Sequence, residues 1–166
     1  MAKVIFLCTG NAARSVMGGA IARSRHPDIE VVTAGTHVVE GMPMSWRTRD
    51  ALAGIGYKAD GHRSTQLRER DVAESDLIIA MAGEHVAYVR RTHPEAAART
   101  ATLKRLARDL GESEVPLGER LAALTLATSD LEDWEDVVDP AGGELEDFEA
   151  CAREIDELLA QVLPRC

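Results

Sequence analysis

The chain has 166 residues, is 45% hydrophobic and 28% charged, and carries a formal net charge of −9. That is the balance of a globular protein, and its acidic excess argues against a nucleic-acid partner, whose phosphate backbone needs a basic face. No apolar run approaches the ~18 residues of a membrane span, and no basic segment with a cleavable apolar stretch opens the chain. One domain over residues 1–166, cytoplasmic and without a membrane partner, is expected.

Strand and helix signals alternate from end to end. Lys3–Leu7 is a short apolar, β-rich run, the pattern of a buried parallel strand. It leads directly into Cys8-Thr9-Gly10-Asn11-Ala12-Ala13-Arg14-Ser15. Ser15–Ser24, with small residues and spaced Val16 and Ile21, reads as a helix stopped before Pro27. Ile29–Ala34 is a second strand closed by Gly35. Met44–Gly54 follows as a helix with Trp46, Ala51, Leu52 and Ile55 along one side, which favours the core for Trp46, with a pocket wall as the alternative. Leu77–Met81 is a third strand, Gly83–His93 its following helix, and Thr100–Leu103 a weaker fourth strand. Helices are expected within Leu103–Leu110 and Glu119–Leu126, and loops over Asp109–Gly118 and Ser129–Gly143. A long final helix, Glu144–Leu163, carries Leu145, Phe148, Ile155, Leu158, Leu159 and Val162 at helical spacing.

Strands separated by helices predict an α/β fold: a three-layer α/β/α arrangement around a four-stranded parallel sheet with helices on both faces. Ligands in such sheets bind at the carboxyl ends of strands, and Cys8 stands at one. Cys8, Cys151 and Cys166 are widely separated and odd in number, which is neither a disulfide framework nor a zinc pattern. No metal and no other cofactor is expected. Cys151 reads as a core thiol of the last helix and Cys166 as a mobile end.

The loop after the first strand carries chemistry. A strand that ends in a short Gly-bearing loop with a helix behind it turns backbone N–H groups toward one point, a site for a tetrahedral oxyanion. A cysteine beneath that point is favoured as thiolate and becomes a nucleophile. Arg14 can grip two oxygens through its planar fork. Ser15 can donate its hydroxyl to the sulfur, and Gly10 lets the backbone pass close to the anion. Taken alone, Asp139 is one acid among many in Asp130–Asp147, and His62 is a surface or capping residue.

The run Cys8–Ser15 after a strand closely resembles the signature loop of the low-molecular-weight protein tyrosine phosphatases, a family shared with the thioredoxin-type arsenate reductases. Thr33-Ala34-Gly35-Thr36, Gly61-His62-Arg63-Ser64, Asp76–Met81 and Val137-Val138-Asp139-Pro140 resemble four further segments of that family, in the same order. The resemblance implies a phosphate-binding loop after strand 1. Cys8 is then the nucleophile that forms a phosphocysteine. Arg14 and the N–H groups of Thr9, Gly10, Asn11, Ala12 and Ala13 grip the phosphoryl group. Asp139 becomes the general acid and base. It also implies that Asn11 braces the loop through hydrogen bonds shared with Ser15, Thr33 and His62, and that no metal is used.

Three departures from the pattern bear on substrate. Ala13 stands where the family often has a second, disulfide-forming cysteine. Ala141-Gly142-Gly143 follows Asp139-Pro140 where aromatics commonly sandwich a phosphotyrosine ring, and Val16 replaces a proline. The expected activity is hydrolysis of phosphotyrosine or a similar phosphorylated side chain, with a phosphorylated protein or small phosphate ester as partner. One alternative is an arsenate reductase drawing on a small cellular thiol, since arsenate fits the same loop and no cysteine lies between Leu77 and Leu110 to act as a relay. A further alternative is a weakly active module that binds phospho-ligands.

Overall fold

The computed structural model describes residues 2–166. Strands β1 (Lys3–Cys8), β2 (Glu30–Gly35), β3 (Leu77–Ala80) and β4 (Thr100–Thr102) form one parallel sheet in the order β2-β1-β3-β4. The helices are α1 (Arg14–Arg25), α2 (Trp46–Gly54), α3 (Glu69–Glu74), α4 (Gly83–Thr92), α5 (Leu103–Asp109), α6 (Leu117–Ala123) and α7 (Leu145–Val162). Alternation along β1 divides the core. Val4, Phe6 and Cys8 face the side covered by α1, α2, α5 and α7, whereas Ile5 and Leu7 face α3, α4 and a 3₁₀ turn at Pro94–Arg99. The expected three layers and four parallel strands are therefore present.

Several details differ from the sequence reading. α3 was not expected, because in its six residues only Val72 is buried and no period can be read. α6 begins inside the expected loop Asp109–Gly118, and a 3₁₀ turn at Asp133–Glu135 interrupts the expected loop Ser129–Gly143. Trp46 is not a core residue: it is 48% exposed, with the Arg47 guanidinium 4.7 Å from its ring centroid. The buried stripe of α2 runs through Thr48, Ala51 and Leu52, and Ser45 caps the helix one residue before the tryptophan. Cys166 is half-buried, and its Sγ donates to the Val162 carbonyl at 3.5 Å. The turn leading to it is pinned by Arg165, which donates to the Ala107 and Leu110 carbonyls. Burial pushes the Cys166 thiol up to about 11.

α1 lies against the sheet with little side chain between them. A Cβ on Gly18 would stand 2.7 Å from Phe6 Cδ1 and 2.9 Å from Met81 Cε, and one on Gly19 would run into Thr33 Cγ2. That close approach brings the amino end of α1 to the carboxyl end of β1, with Thr9–Ala13 between them.

Candidate active site

Most carbonyls of the loop are tied down. The Cys8 and Thr9 carbonyls accept from the N–H groups of Thr36 and His37, both at 3.0 Å. The Asn11 carbonyl accepts from His62 Nε2 at 2.7 Å and Ser64 Oγ at 2.8 Å, and the Ala12 carbonyl from Thr48 Oγ1 at 3.1 Å. With the Thr9, Asn11 and Ala12 carbonyls held outward, the N–H groups of Gly10, Ala12 and Ala13 on the same peptides face the other way, and these together with the Asn11 N–H find no acceptor among the described residues. The first turn of α1 adds more free N–H groups, since Ala13 at its cap offers no side-chain acceptor. The result is a cluster of donors with a positive helix end behind it.

Asn11 makes the bend possible. Its φ of 51° is left-handed, a region asparagine enters more readily than most residues. The buried side chain then works in both directions. Oδ1 accepts from the Thr65 N–H at 2.9 Å, so Nδ2 is the atom that donates to Ser15 Oγ at 2.8 Å. The Ser15 oxygen in turn lies 3.0 Å from Cys8 Sγ. Either group can donate in that contact, and toward a Cys8 thiolate the donor is the Ser15 hydroxyl.

Arg14 is buried at the other side of the loop. Nη1 donates to the Val137 carbonyl at 3.0 Å, and Nη2 is 3.4 Å from Asp139 Oδ2. Asp139 is 49% exposed at its side chain and accepts from the Ala141 N–H at 3.0 Å. The fold thus brings Cys8, Asn11, Arg14, Ser15, His62 and Asp139 together. Burial lowers the His62 pKa below the ordinary histidine value, against the opposing effect of its bond to Asn11, and the charges of Arg23 and Arg63 lower it further.

Thr33 does not join the group. No hydrogen bond links it to Asn11; its Cγ2 fills the space that a Cβ on Gly19 would need. The bracing expected of it comes from Ser64 and Thr65, next to His62. Gly10 is not forced by the chain's own atoms, since a Cβ there would meet nothing within 4 Å. Gly35 is forced: a Cβ on it would stand 2.5 Å from the Thr9 carbonyl oxygen.

Sequence reasoning missed Thr48, whose bond runs to a carbonyl, and His85, whose partners lie across the fold. Ser64 and Gly35 carried a signal, as members of two segments that resemble the family. His85 is 1% exposed; Nδ1 accepts from the Ala82 N–H at 3.1 Å, and Nε2 lies 2.9 Å from Thr9 Oγ1. Burial, and then the charge of Arg14, lower its pKa to about 3.

A cavity of about 530 Å³ opens beside Asp139, bounded by Pro140, Gly142, Gly143, Asp147, Cys151 and Glu154. Carboxylates line it and no aromatic ring does. Burial pushes the Cys151 thiol up to about 12, in keeping with a core sulfur. Among the described residues no cluster of three His, Cys, Asp or Glu side chains is placed to hold a metal, and no helix is long and apolar enough to cross a membrane.

Comparison with known proteins places these features in a family. The sequence model of the low molecular weight phosphotyrosine protein phosphatases matches residues 3–119. The chain is 34% identical over 97 residues to the low molecular weight protein-tyrosine-phosphatase Etp of Escherichia coli K12, a match covering 58% of this chain and 66% of that protein, slightly under two thirds of its length. It is 31% identical over 132 residues to a protein-arginine-phosphatase of Geobacillus stearothermophilus, covering 78% of this chain and 88% of that one. The crystal structure of a low molecular weight protein tyrosine phosphatase from T. tengcongensis superposes with a TM-score of 0.81 at 29% identity, over 100% of both chains. The chain belongs to the low molecular weight protein tyrosine phosphatase family.

Proposed function

We propose that the protein is a cysteine-dependent phosphatase that removes phosphate from a phosphorylated protein side chain or small phosphate ester through a phosphocysteine. Phosphotyrosine is its first candidate substrate. The observation carrying this reading is that the N–H groups of Gly10–Ala13, in the loop that directly follows Cys8, have no acceptor among the described residues, with the buried Arg14 guanidinium at the end of the same loop. Donors fixed in advance around developing charge are the largest source of stabilisation in such transfers.

The Cys8 thiolate attacks phosphorus, forming the S–P bond as the bond to the leaving oxygen breaks. The loop N–H groups and Arg14 hold the three equatorial oxygens. Asp139 delivers a proton to the leaving oxygen, a contribution of roughly 10²–10⁴-fold for a general acid. It then takes a proton from the water that attacks the phosphocysteine. Ser15, its hydroxyl aimed at the sulfur, stabilises the thiolate as it departs.

Replacing Cys8→Ser is expected to abolish turnover with the fold intact; undiminished hydrolysis would refute the reading. Asp139→Asn is expected to slow hydrolysis of phenyl phosphate ~10²-fold or more. It should slow 2,4-dinitrophenyl phosphate far less, because that leaving group needs no proton.

A second substrate, phosphoarginine, is favoured by the cavity beside Asp139. Its Asp147 and Glu154 carboxylates suit a guanidinium leaving group, and Gly142-Gly143 offer a phenol ring no stacking surface. The Geobacillus relative named for that activity supports it. Reduction of arsenate with a small thiol is the remaining reading. Cys151, held neutral beside the cavity, is unsuited to relay electrons. Turnover of phosphotyrosine peptide, phosphoarginine, and arsenate with mycothiol or glutathione ranks the three.

A further inference from the structure

The turn between β3 and α4 touches both parts of the machinery just proposed. The Met81 carbonyl accepts from the Val137 N–H at 2.8 Å, and the Gly83 N–H donates to Asp136 Oδ1 at 2.8 Å, so the turn carries the segment leading to Asp139. Val137 in turn accepts from Arg14. Two side chains of the same region, Glu84 and His85, cross to Thr9 of the nucleophile loop, and of these His85 is the buried one. Its Nδ1 accepts from the Ala82 N–H, so the neutral ring bears its proton on Nε2 and donates to Thr9 Oγ1, beside Cys8. With that oxygen accepting, the Thr9 hydroxyl donates to Glu84 Oε1 at 3.2 Å, and the network closes.

We infer that His85 is a positioning residue that sets the register between the Cys8 loop and the segment bearing Asp139, so that the acid meets the leaving atom of a phosphoryl group seated in the loop. The inference rests on the phosphatase reading and deepens it. An uncharged imidazole suits the task, because it accepts on one side and donates on the other. Burial beneath Thr9 and the nearby Arg14 charge keep it neutral, against the opposing influence of Asp139. The remaining titratable neighbours are Glu84, with Oε1 3.3 Å from Nε2, and His37.

A misplaced acid has a kinetic signature that a loosened fold lacks. It harms substrates whose leaving group needs a proton and spares those whose leaving group does not. The test compares kcat/KM, which reports the steps through phosphoenzyme formation, for phenyl phosphate and 2,4-dinitrophenyl phosphate in folded parent, His85→Met, His85→Gln and Thr9→Val proteins. His85→Met removes both bonds at similar volume and is expected to lower the phenyl-to-dinitrophenyl ratio at least ~10-fold, a fraction of what a general acid supplies. His85→Gln keeps a donor near Thr9 and should restore most of that ratio. Thr9→Val should reproduce the Met effect, and combining the two should add little.

Equal losses on both esters, or effects that add, overturn the positioning role while leaving the phosphatase reading intact. If His85→Met does not fold, the Thr9→Val and His85→Gln proteins decide the question by the same ratio. A parent protein that hydrolyses neither ester overturns the phosphatase reading, and this inference with it.

Discussion

Replacing Asn11→Asp changes one atom of a buried side chain and tests the direction of a proton. In the native loop the Asn11 amide donates to Ser15 Oγ, which leaves the serine proton free for Cys8 Sγ. An aspartate at the same place can only accept. The Ser15 hydroxyl then turns to the carboxylate, and the sulfur loses its donor. A hydrogen bond to a charged group is worth about 1.5–3 kcal/mol, and each ~1.4 kcal/mol is tenfold in rate. Both formation and hydrolysis of the phosphoenzyme should therefore slow by roughly 10–100-fold. Stability should follow a different order. The aspartate still accepts from the Thr65 N–H, whereas Asn11→Ala leaves both Thr65 N–H and Ser15 without a partner, at about 1–3 kcal/mol each. The alanine also sits poorly at a φ of 51°. The alanine variant should be the less stable in urea, yet more active per folded molecule in a stopped-flow burst with 4-nitrophenyl phosphate. Activity losses that track stability losses, or an Asn11→Asp protein within threefold of the parent, would show that the serine proton has no part in the chemistry.

Three other outcomes can be checked. Buried Glu135 accepts from Arg105 Nε at 2.7 Å and Nη2 at 2.9 Å, and these bonds, with those from Glu132 and Thr102, hold its pKa below the ordinary carboxylate value against the upward push of burial. Glu135→Gln should cost about 3 kcal/mol at neutral pH, and the deficit in guanidinium melts should shrink as the pH falls through the depressed folded-state value; a pH-independent deficit would contradict this. His85, titrating at about 3 when folded and near 6.5 when unfolded, takes up its proton first in the unfolded chain. Its contribution to stability is complete above ~pH 6.5 and should fall by about 1.4 kcal/mol per pH unit below it, a slope that His85→Gln lacks; equal slopes would argue for a charged or accessible ring. Finally, iodoacetamide at pH 7.5 is expected to label Cys8 alone, and phosphate to slow the labelling, because burial pushes Cys151 up to about 12 and Cys166 up to about 11; mass spectrometry finding Cys151 labelled at a similar rate would count against it.

The strand–loop–helix unit was legible because its information is local: an apolar strand, the nucleophile, the guanidinium and the serine fall within thirteen consecutive residues, Lys3–Ser15. Asp139 and His62 have no such context. They reach the loop through the sheet topology, and only resemblance to a family singled them out. Thr48, Thr65 and His85 escaped notice because their bonds run to main-chain groups or to a side chain on a distant element, which leaves no spacing to read. Trp46 was misplaced because helical spacing set it on one side with Ala51, Leu52 and Ile55, whereas the stripe through Thr48, Ala51 and Leu52 decides which side of α2 faces inward. Thr33 was given a polar duty on resemblance alone; in the fold its methyl group does the work.

That methyl group, with the Phe6 ring, sets how high α1 rides above the sheet. At Gly18 and Gly19 the helix rests on its neighbours almost backbone to side-chain tip, and of the nearest neighbours only Met81 has a flexible stem, whereas the Phe6 ring and the Thr33 methyl do not. An added methyl at either place must lift the whole rod, and the rod's leading end is part of the anion cradle. The two glycines, a full turn and more into α1, therefore act as a shim for the Cys8 loop: sequence drift there would shift the donors around the sulfur without changing any residue of the loop itself.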